Sequence, residues 1–302
     1  MLTTLPECVR GKCCSEELYH EERVSSWKDL VELYNKIQDG EKRWVFRGQE
    51  NSTWCLTTSL ERLLLKRFDD PLQQAWRWER LLLRQFARAG ARFFSSRPES
   101  PMEWLAVMRH YGGPTRLLDW TYSFWIALYF ALEKADHNNT CALWALDVRW
   151  LKKRVQESIP ELKDILDEGS NTPKEFDFIL DSKNKTGIWP VNPFRLNERL
   201  YIQQGVFLLP LDVTSPFMKN LQAVASGNAS SGHLLKIVIP FSKDLLSNCL
   251  TELHRMNIDT ETLFPGPDGF ARNFANLPGI RFLFDDLPDS ILDKPLTEVL
   301  SA

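Results

Sequence analysis

Apolar residues recur every three or four positions in several segments of the chain, which is the spacing of a helix that buries one face. The first of these segments follows Ser25-Ser26 and stops at Asp39-Gly40. Thr58 and Glu61 stand in the relation of a capping box, so a second helix is expected from about Ser59. The pattern predicts further helices over residues 71–86 and 101–108, from an N-cap at Ser123 to about residue 135, and through Leu245 and Leu253.

Short apolar runs predict strands over residues 44–46, 142–148, 200–209 and 234–239. Gly205 interrupts the third of these, and the adjacent Gln203 and Gln204 would point to opposite faces of that strand. Residues 151–185 predict a charged helical insertion followed by a loop. The pattern also predicts an exposed loop over 221–232 and a rigid turn over 262–270, before a final helix.

Together these elements predict one α+β domain with an N-terminal helical elaboration. The 302 residues, 43% of them hydrophobic, are enough to bury a large core. Residues 1–24 are expected to form a loose arm, residues 25–284 a single domain with a helical insertion at about 60–110, and residues 285–302 a peripheral tail.

The net charge of −3 gives the whole molecule no general affinity for polyanions. Between Glu61 and Arg97, however, nine Lys or Arg residues stand against four Asp or Glu residues. Arginines with aromatic neighbours suit single-stranded RNA or DNA. A solvated amphipathic helix is the simpler interpretation of this face, and an acidic neutralising protein is a further candidate partner. The arginines concerned are Arg77, Arg80, Arg84 and Arg88.

Cysteine usage and hydropathy favour a reduced cytoplasmic protein that does not use a membrane. The six cysteines are scattered rather than regularly spaced, and no apolar run reaches the roughly 18 residues that cross a bilayer. The spacing of Cys8, Cys13, Cys14 and His20 does not match the paired ligands of a zinc site, so we predict no metal.

Two polar segments are candidates for chemistry. Arg47 stands at the end of a predicted strand and is followed by Gly48, where the backbone can come close to a ligand. A guanidinium there is suited to a phosphate or pyrophosphate, or simply to a structural ion pair.

The second segment, residues 110–121, combines two glycines, a proline and several polar residues before an apolar helix. Because the pKa of histidine is usually near neutral, His110 is a candidate general base. A hydrogen-bonded structural histidine is an equally expected interpretation. Arg116 and Asp119 are close enough in sequence to pair, and Thr121 is also a candidate helix-start hydroxyl. No glycine-rich phosphate loop, metal-ligand helix or nucleophile elbow occurs.

Taken together, four segments resemble the FRG domain family, which is named for a Phe-Arg-Gly motif. The resemblance covers about residues 27–270, in the family's order. The matching segments are Phe46-Arg47-Gly48, residues 110–121, Asn197-Glu198-Arg199 with residues 203–207, and residues 263–269.

The order of these blocks is also similar to that of the ADP-ribosyltransferase fold, with a split β-sheet core. The similarity implies that Arg47 holds the phosphate or ribose of NAD as co-substrate. It implies that Thr121 or Ser59 supports the nicotinamide pocket, and that Gln203 or Gln204 occupies the place where the superfamily usually has Glu. The implied NAD-binding set is completed by Gly48, Gln49 and Tyr111.

An amide cannot stabilise positive charge on a sugar as a carboxylate does. Asp119 or Glu198 would then supply that charge, or the protein would bind NAD without turnover. His110 would act as base on the acceptor, with Arg116, Glu198 and the four arginines named above as acceptor contacts. RNA is the favoured acceptor, and a protein is the alternative. A nuclease that uses His110 and Asp119 is a further hypothesis.

The gene company of FRG proteins resembles that of toxin and phage-defence components, which implies a cytoplasmic effector and a possible antitoxin partner. The sequence predicts that the early arginine, the middle turn and the late amides share one cleft around a dinucleotide.

Overall fold

The computed structural model describes residues 18–38, 40–69, 72–94, 97–135, 140–162, 180, 185–192, 198–225 and 232–275. Within these ranges the chain forms a mixed α and β structure around a seven-stranded sheet with the order β1-β7-β4-β2-β3-β6-β5. Neighbouring strands are antiparallel except for the parallel pair β1 and β7. The strands are β1 (His20–Arg23), β2 (Trp44–Gln49), β3 (Leu118–Thr121), β4 (Cys141–Asp147), β5 (Ile188–Val191), β6 (Gly205–Pro210) and β7 (Leu234–Ile239).

Eleven α-helices occur in the described ranges, together with a 3-10 turn at Ala91–Phe93. They are α1 (Trp27–Gln38), α2 (Ser59–Arg67), α3 (Ala75–Gly90), α4 (Pro101–His110), α5 (Phe124–Leu132), α6 (Val148–Ser158), α7 (Glu198–Ile202), α8 (Phe217–Ala225), α9 (Lys243–Arg255), α10 (Thr260–Leu263) and α11 (Pro267–Asn273).

The sheet is covered on both faces, and its inner strand β4 is buried at every position. Because side chains alternate along a strand, Trp144 and Leu146 pack with α6 and α8 on one face. Leu143 and Ala145 pack with α1, α5 and α9 on the other. Two apolar cores therefore fix β4 and its neighbour β2 between helical layers.

The sheet opens between β2 and β3. Among the described residues these strands pair at a single position, Phe46 with Thr121. Beyond Phe46, β2 continues to pair with β4 through Gln49. β3 pairs with β6 along its whole length, from Leu118 to Thr121. The strands diverge from Arg47 onward, and this divergence positions the site described below.

Local signals located most helices correctly. The predicted capping box at Thr58 is confirmed: its hydroxyl accepts from the Glu61 N–H at 3.1 Å, and the Glu61 carboxylate accepts from the Thr58 N–H. The same carboxylate also accepts from the N–H of Phe217. Ser123 caps α5 as predicted, by accepting from the Ile126 N–H. Helix α3 begins at Ala75, and Pro71 lies outside the described residues.

The predicted strand over 200–209 is wrong in its first half. Residues 198–202 form α7, and Gln203-Gln204 form a turn in which Gln204 has φ of 48°. A Cβ at Gly205 would overlap the end of the Leu200 side chain, which would have to move to make room. Without this tertiary packing, the apolar run alone favours a continuous strand.

Three further expectations are corrected. The N-terminal arm contains β1, whose residues His20–Arg23 pair with β7. The loop predicted over 221–232 is helical up to Ala225, since α8 packs into the core, and residues 226–231 lie outside the description. Strands β3 and β5 were not predicted because each has only four residues. The tail, and most of the 151–185 segment, also lie outside the described residues.

Candidate functional site

A cavity of about 1050 Å³ lies where β2 and β3 diverge. Its lining comes from β2, α2 and the segment that leads into it, the end of α4, β3, α5, α7, β6, the start of α8, and the region of α10 and α11. Seven predicted site residues from three distant parts of the chain line it together, so the early arginine, the middle turn and one of the two late amides share a cleft. They are Arg47, Gly48, Gln49, His110, Asp119, Thr121 and Gln203.

Arg47 bridges the opening between the two strands. Its Nη1 donates to the carbonyl oxygen of Asp119 at 2.6 Å. Its Nε is buried and has no hydrogen-bond acceptor among the described residues. Burial lowers the pKa of Arg47 to about 10, an effect that the Asp119 charge opposes and those of Arg109 and Arg62 reinforce. The guanidinium is therefore cationic at neutral pH, withdrawn from water and only partly satisfied.

Asp119 is held by Arg109 at the end of α4. Arg109 Nε lies 2.9 Å from Asp119 Oδ2, and Nη2 contacts the same oxygen. Burial raises the pKa of Asp119, but the charges of Arg109, Arg47 and Arg199 and the Arg109 hydrogen bond together lower it below its usual value. Burial likewise lowers the pKa of Arg109, and Asp119 more than reverses this. Asp119 is thus an ionised carboxylate surrounded by cations.

His110 lines the cavity beside this network. Burial, and then the charge of Arg199, lower its pKa below the ordinary value. A histidine with a lowered pKa is neutral at pH 7, so its free ring nitrogen can accept a proton. Its position and protonation state both suit a general base.

Thr121 and Gln203 reach the cavity but also hold the structure together. Thr121 Oγ1 donates to the Gln203 carbonyl at 2.7 Å and accepts from the N–H of Ser123 at 3.0 Å. Gln203 Nε2 donates to the carbonyl of Leu263 at 2.9 Å. These bonds fasten the turn after α7 to β3 on one side and to α10 on the other. The side-chain oxygen of Gln203 is a hydrogen-bond acceptor on a residue that lines the cavity.

Gly48 and Gln49 line the cavity, but contacts within the core explain why these two residue types stand there. The sequence did not reveal those contacts. A Cβ at Gly48 would overlap the carbonyl of Ala127, so the close approach that requires glycine is that of α5. The Gln49 side chain accepts from Trp144 Nε1 at 2.6 Å and donates to the Cys55 carbonyl at 3.3 Å. Its amide is largely occupied within the core.

Other predicted site residues lie outside the cavity lining. Ser59 is bound to both the carbonyl and the N–H of Thr115, which ties α2 to the segment before β3. Tyr111 and Gln204 are exposed, and Glu198 is exposed at the start of α7 rather than on a strand. The four arginines of α3 are exposed on the surface of that helix: Arg77, Arg80, Arg84 and Arg88.

The predicted pairing of Arg116 with Asp119 is wrong, and so is a substrate contact for Arg116. Arg116 is 2% exposed and pairs with Glu79 of α3, with Nε 2.7 Å from Oε1 and a second contact between Nη2 and Oε2. A charge pair so buried has no route to a ligand in the cavity. Asp119 lies on β3 and takes Arg109 instead.

Sequence reasoning missed several cations in the cavity wall. Arg109 stood at the edge of the segment singled out, but nothing distinguished it from an ordinary helix-end arginine. Arg62 and Lys66 resemble solvated positions of α2, and Arg199 and Arg272 flank Phe264 at 4.2 Å and 4.6 Å from its ring centre. Only the spatial convergence of these residues marks them as part of a site.

The described residues contain neither a metal-binding cluster nor a membrane-spanning helix. No group of three or more His, Cys, Asp or Glu residues there is arranged to hold a metal ion. No helix in the described ranges combines the length and apolar character needed to cross a membrane.

Comparison with protein families gives one result. The family model described as FRG domain matches residues 42–140, about a third of the chain. The match extends from just before β2 to just before β4 and contains Arg47, Arg109, His110 and Asp119. Neither the curated proteins nor the solved structures gave a match.

Proposed function

With an FRG domain over residues 42–140 as the starting point, we propose that the protein binds NAD in the cavity and transfers ADP-ribose to an acceptor. One observation carries the proposal: Arg47, a buried cation with an unsatisfied Nε, stands at the opening of the sheet. The order of the sequence blocks, which is similar to that of the ADP-ribosyltransferases, supports NAD as the ligand, and the opening between β2 and β3 is compatible with the split sheet of that fold.

A pyrophosphate would complete the hydrogen bonding of Arg47. A buried cation with an unsatisfied donor is costly in the free protein, and an anionic acceptor at Nε recovers part of that cost. Arg62 and Arg109 add positive charge on the same side of the cavity. The volume of about 1050 Å³ is at the upper end of ordinary ligand sites and has room for a dinucleotide.

The remaining groups suit the chemistry of glycosidic transfer. The bond between ribose C1′ and the nicotinamide nitrogen breaks, nicotinamide leaves, and an acceptor atom bonds to C1′ while losing its proton. The ionised Asp119 is placed to stabilise positive charge on the sugar, and the neutral His110 to take the proton. The side-chain carbonyl of Gln203 would accept from a ribose hydroxyl.

A second candidate is a nucleotide-binding module without turnover. Two observations favour it: an amide stands at position 203, and the Asp119 charge is shared with Arg109. Both reduce the negative charge available to a developing positive centre, while leaving phosphate binding by Arg47 intact.

The decisive test compares the wild type with Arg47→Met, which keeps the apolar volume and removes the charge. We expect NAD affinity, measured by calorimetry, to fall about 10- to 100-fold, the usual worth of a hydrogen bond to a charged group. Nicotinamide release, measured with a total lysate as acceptor source, should fall in parallel. Arg84→Met on the exposed surface of α3 is the matched control and should change neither.

The outcomes separate the two candidates. Binding or nicotinamide release that is unchanged in Arg47→Met would contradict the assigned phosphate contact. NAD that binds through Arg47 and stays intact with every acceptor would favour the binding module. As its biological role, we propose a toxin or phage-defence effector held in check by a neutralising partner. Growth arrest on expression that Arg47→Met abolishes would support this role.

A further inference from the structure

The exposed part of the cavity wall has an unusual composition. Of the described residues that line the cavity, five are exposed; four are cations and the fifth is a tryptophan, with no acid among them. We call these five residues the rim. They are Trp54, Arg62, Lys66, Lys134 and Arg272.

Two cations of the rim stand together on α2 at some cost to that helix. Arg62 and Lys66 are four residues apart, so they share one face and repel each other. The buried residues of α2, which include Leu60 and Leu64, face the core and do not require this pair. Arg62 is fixed by a 2.5 Å hydrogen bond from Nη1 to the Thr57 carbonyl. Lys66 stands in the last turn of α2, where a cation suits the helix dipole, but the core that α2 covers requires neither charge.

Trp54 gives the rim an aromatic surface. It lies in the segment between β2 and α2 and is 47% exposed, so part of its indole ring faces solvent at the cavity. At the other side of the opening, Arg272 stands over Phe264 and forms an ion pair with Glu133. An exposed indole on the same cavity wall as exposed cations is the combination that proteins use to stack bases while holding a phosphate backbone.

Three of the four rim cations, Lys66, Lys134 and Arg272, are not used by the proposed pyrophosphate site. The buried Arg47 and its neighbours stand where the pyrophosphate is proposed to bind, whereas Lys66 and Lys134 are exposed at the surface. The molecule as a whole carries a net charge of −3, so this local positive field is not a general property of its surface. The rim is therefore matched to a second, polyanionic molecule that approaches the bound cofactor.

We propose that single-stranded nucleic acid is the acceptor and that it enters across the rim. Trp54 stacks a base, and Arg62, Lys66, Lys134 and Arg272 contact the backbone phosphates next to the reacting centre. This inference rests on the proposed transferase function. It places the acceptor at the rim rather than on the arginine face of α3, whose residues do not line the cavity.

The test measures binding of a fluorescently labelled 12-nucleotide single-stranded RNA by anisotropy, with NAD binding followed separately by calorimetry. The rim variant is Lys66→Glu/Lys134→Glu; no ion pair involves either lysine in the described part of the chain. Its matched control is Arg84→Glu/Arg88→Glu on α3, which also reverses two exposed charges.

We expect the rim variant to bind the RNA at least tenfold more weakly. The slope of log K against log salt should also fall in magnitude by about 1.4, because two phosphate contacts of a single strand are lost. Trp54→Ala should weaken binding roughly tenfold with an unchanged salt slope, because stacking releases no counterions. The RNA affinity of the α3 variant should fall by less than about threefold, because two surface charges away from the cavity add only non-specific attraction. All variants should keep NAD affinity within about twofold, because Arg47 is untouched.

Equal losses in the rim and α3 variants would overturn the inference, and so would a wild type that binds NAD but not the RNA. Labelled ADP-ribose that appears on protein alone in a lysate would also overturn it and identify a protein acceptor. Each of these results leaves NAD binding standing. Failure of the wild type to bind NAD would instead overturn the proposed function.

Discussion

Three arginines show how burial and partners, rather than residue type, decide the role of a side chain. Arg116 is buried and bound to Glu79 in two places, so it is structural. Arg47 is withdrawn from water with an unsatisfied Nε, so it is suited to an incoming anion. Arg84 is exposed on α3 and free to be solvated. The same side chain thus serves three purposes within one domain.

Glu61 is a buried carboxyl whose titration should appear in the stability of the protein. Burial raises its pKa to about 7, although the N–H groups of Phe217 and Thr58 and the charge of Arg62 oppose this. The folded state therefore holds this proton more tightly than the unfolded state, whose pKa is near 4.5. Its contribution to stability is fully present below pH 4.5 and is lost as the pH rises through 7.

We expect the Glu61→Gln variant not to lose stability as the pH rises through 7, because glutamine does not ionise. Its side-chain oxygen can still accept from the Phe217 N–H. Relative to the wild type, the variant should gain about 2 kcal/mol between pH 4.5 and 7 and keep that gain at higher pH. Urea unfolding at a series of pH values measures this difference. A stability difference that stays constant from pH 4 to 8 would show that Glu61 has an ordinary pKa in the folded protein.

At the scale of elements, helices hold the two sides of the opening in place. Helix α5 packs so closely on β2 that only glycine fits at position 48. On the other side, Arg109 of α4 donates to the Asp119 carboxylate of β3. The opening is therefore set by helix packing on either side, and not by a weakness in the pairing of β2 with β4.

The ion pair between Glu79 and Arg116 connects α3 to the segment that leads into β3. Glu79→Leu leaves a buried, uncompensated guanidinium and should cost about 3 to 5 kcal/mol of unfolding free energy. The double variant Glu79→Leu/Arg116→Met should be more stable than Glu79→Leu alone, because Arg116 Nη1 already lacks a partner in the described residues. Denaturant unfolding of single and double variants measures both. A double variant less stable than Glu79→Leu would contradict this account.

At the scale of the molecule, the cavity joins two halves of the sheet that share one paired position. The half with β1, β7, β4 and β2 meets the half with β3, β6 and β5 at Phe46 and Thr121. Across the opening the described residues add the Arg47 hydrogen bond to Asp119. A ligand that contacts both halves therefore adds directly to the connection between them.

Saturating NAD should consequently raise the melting temperature. At a concentration 100 times Kd the folded state gains about 2.7 kcal/mol, which corresponds to roughly 5 °C or more for a chain of this size. Hydrogen exchange should slow at the end of β2 and along β3. Arg47→Met should show a smaller shift at the same NAD concentration. An unchanged melting temperature at a concentration that saturates binding by calorimetry would disprove this coupling.

The sequence alone determined the features that depend on near neighbours. The predicted caps at Thr58 and Ser123 act within three residues, as do the caps at Ser100 and Ser242 in the structure, and so the predicted helices α2, α4, α5 and α9 agree with the structure. The buried strands β4 and β7 follow from continuous apolar runs. The resemblance of the motif blocks also led to the expectation of a shared cleft, and Arg47, Asp119 and Gln203 do line one cavity, although Gln204 does not.

Only the tertiary structure decided the partners of these residues. Arg116 and Glu79 are 37 positions apart, and Thr121 and Gln203 are 82 apart, so no local pattern records either contact. The turn at Gln203-Gln204 exists because α7 packs where a strand would otherwise continue, and the rim assembles cations from α2, the end of α5 and α11. Hydrogen bonds and charge interactions act across space, whereas sequence patterns register only what is close along the chain.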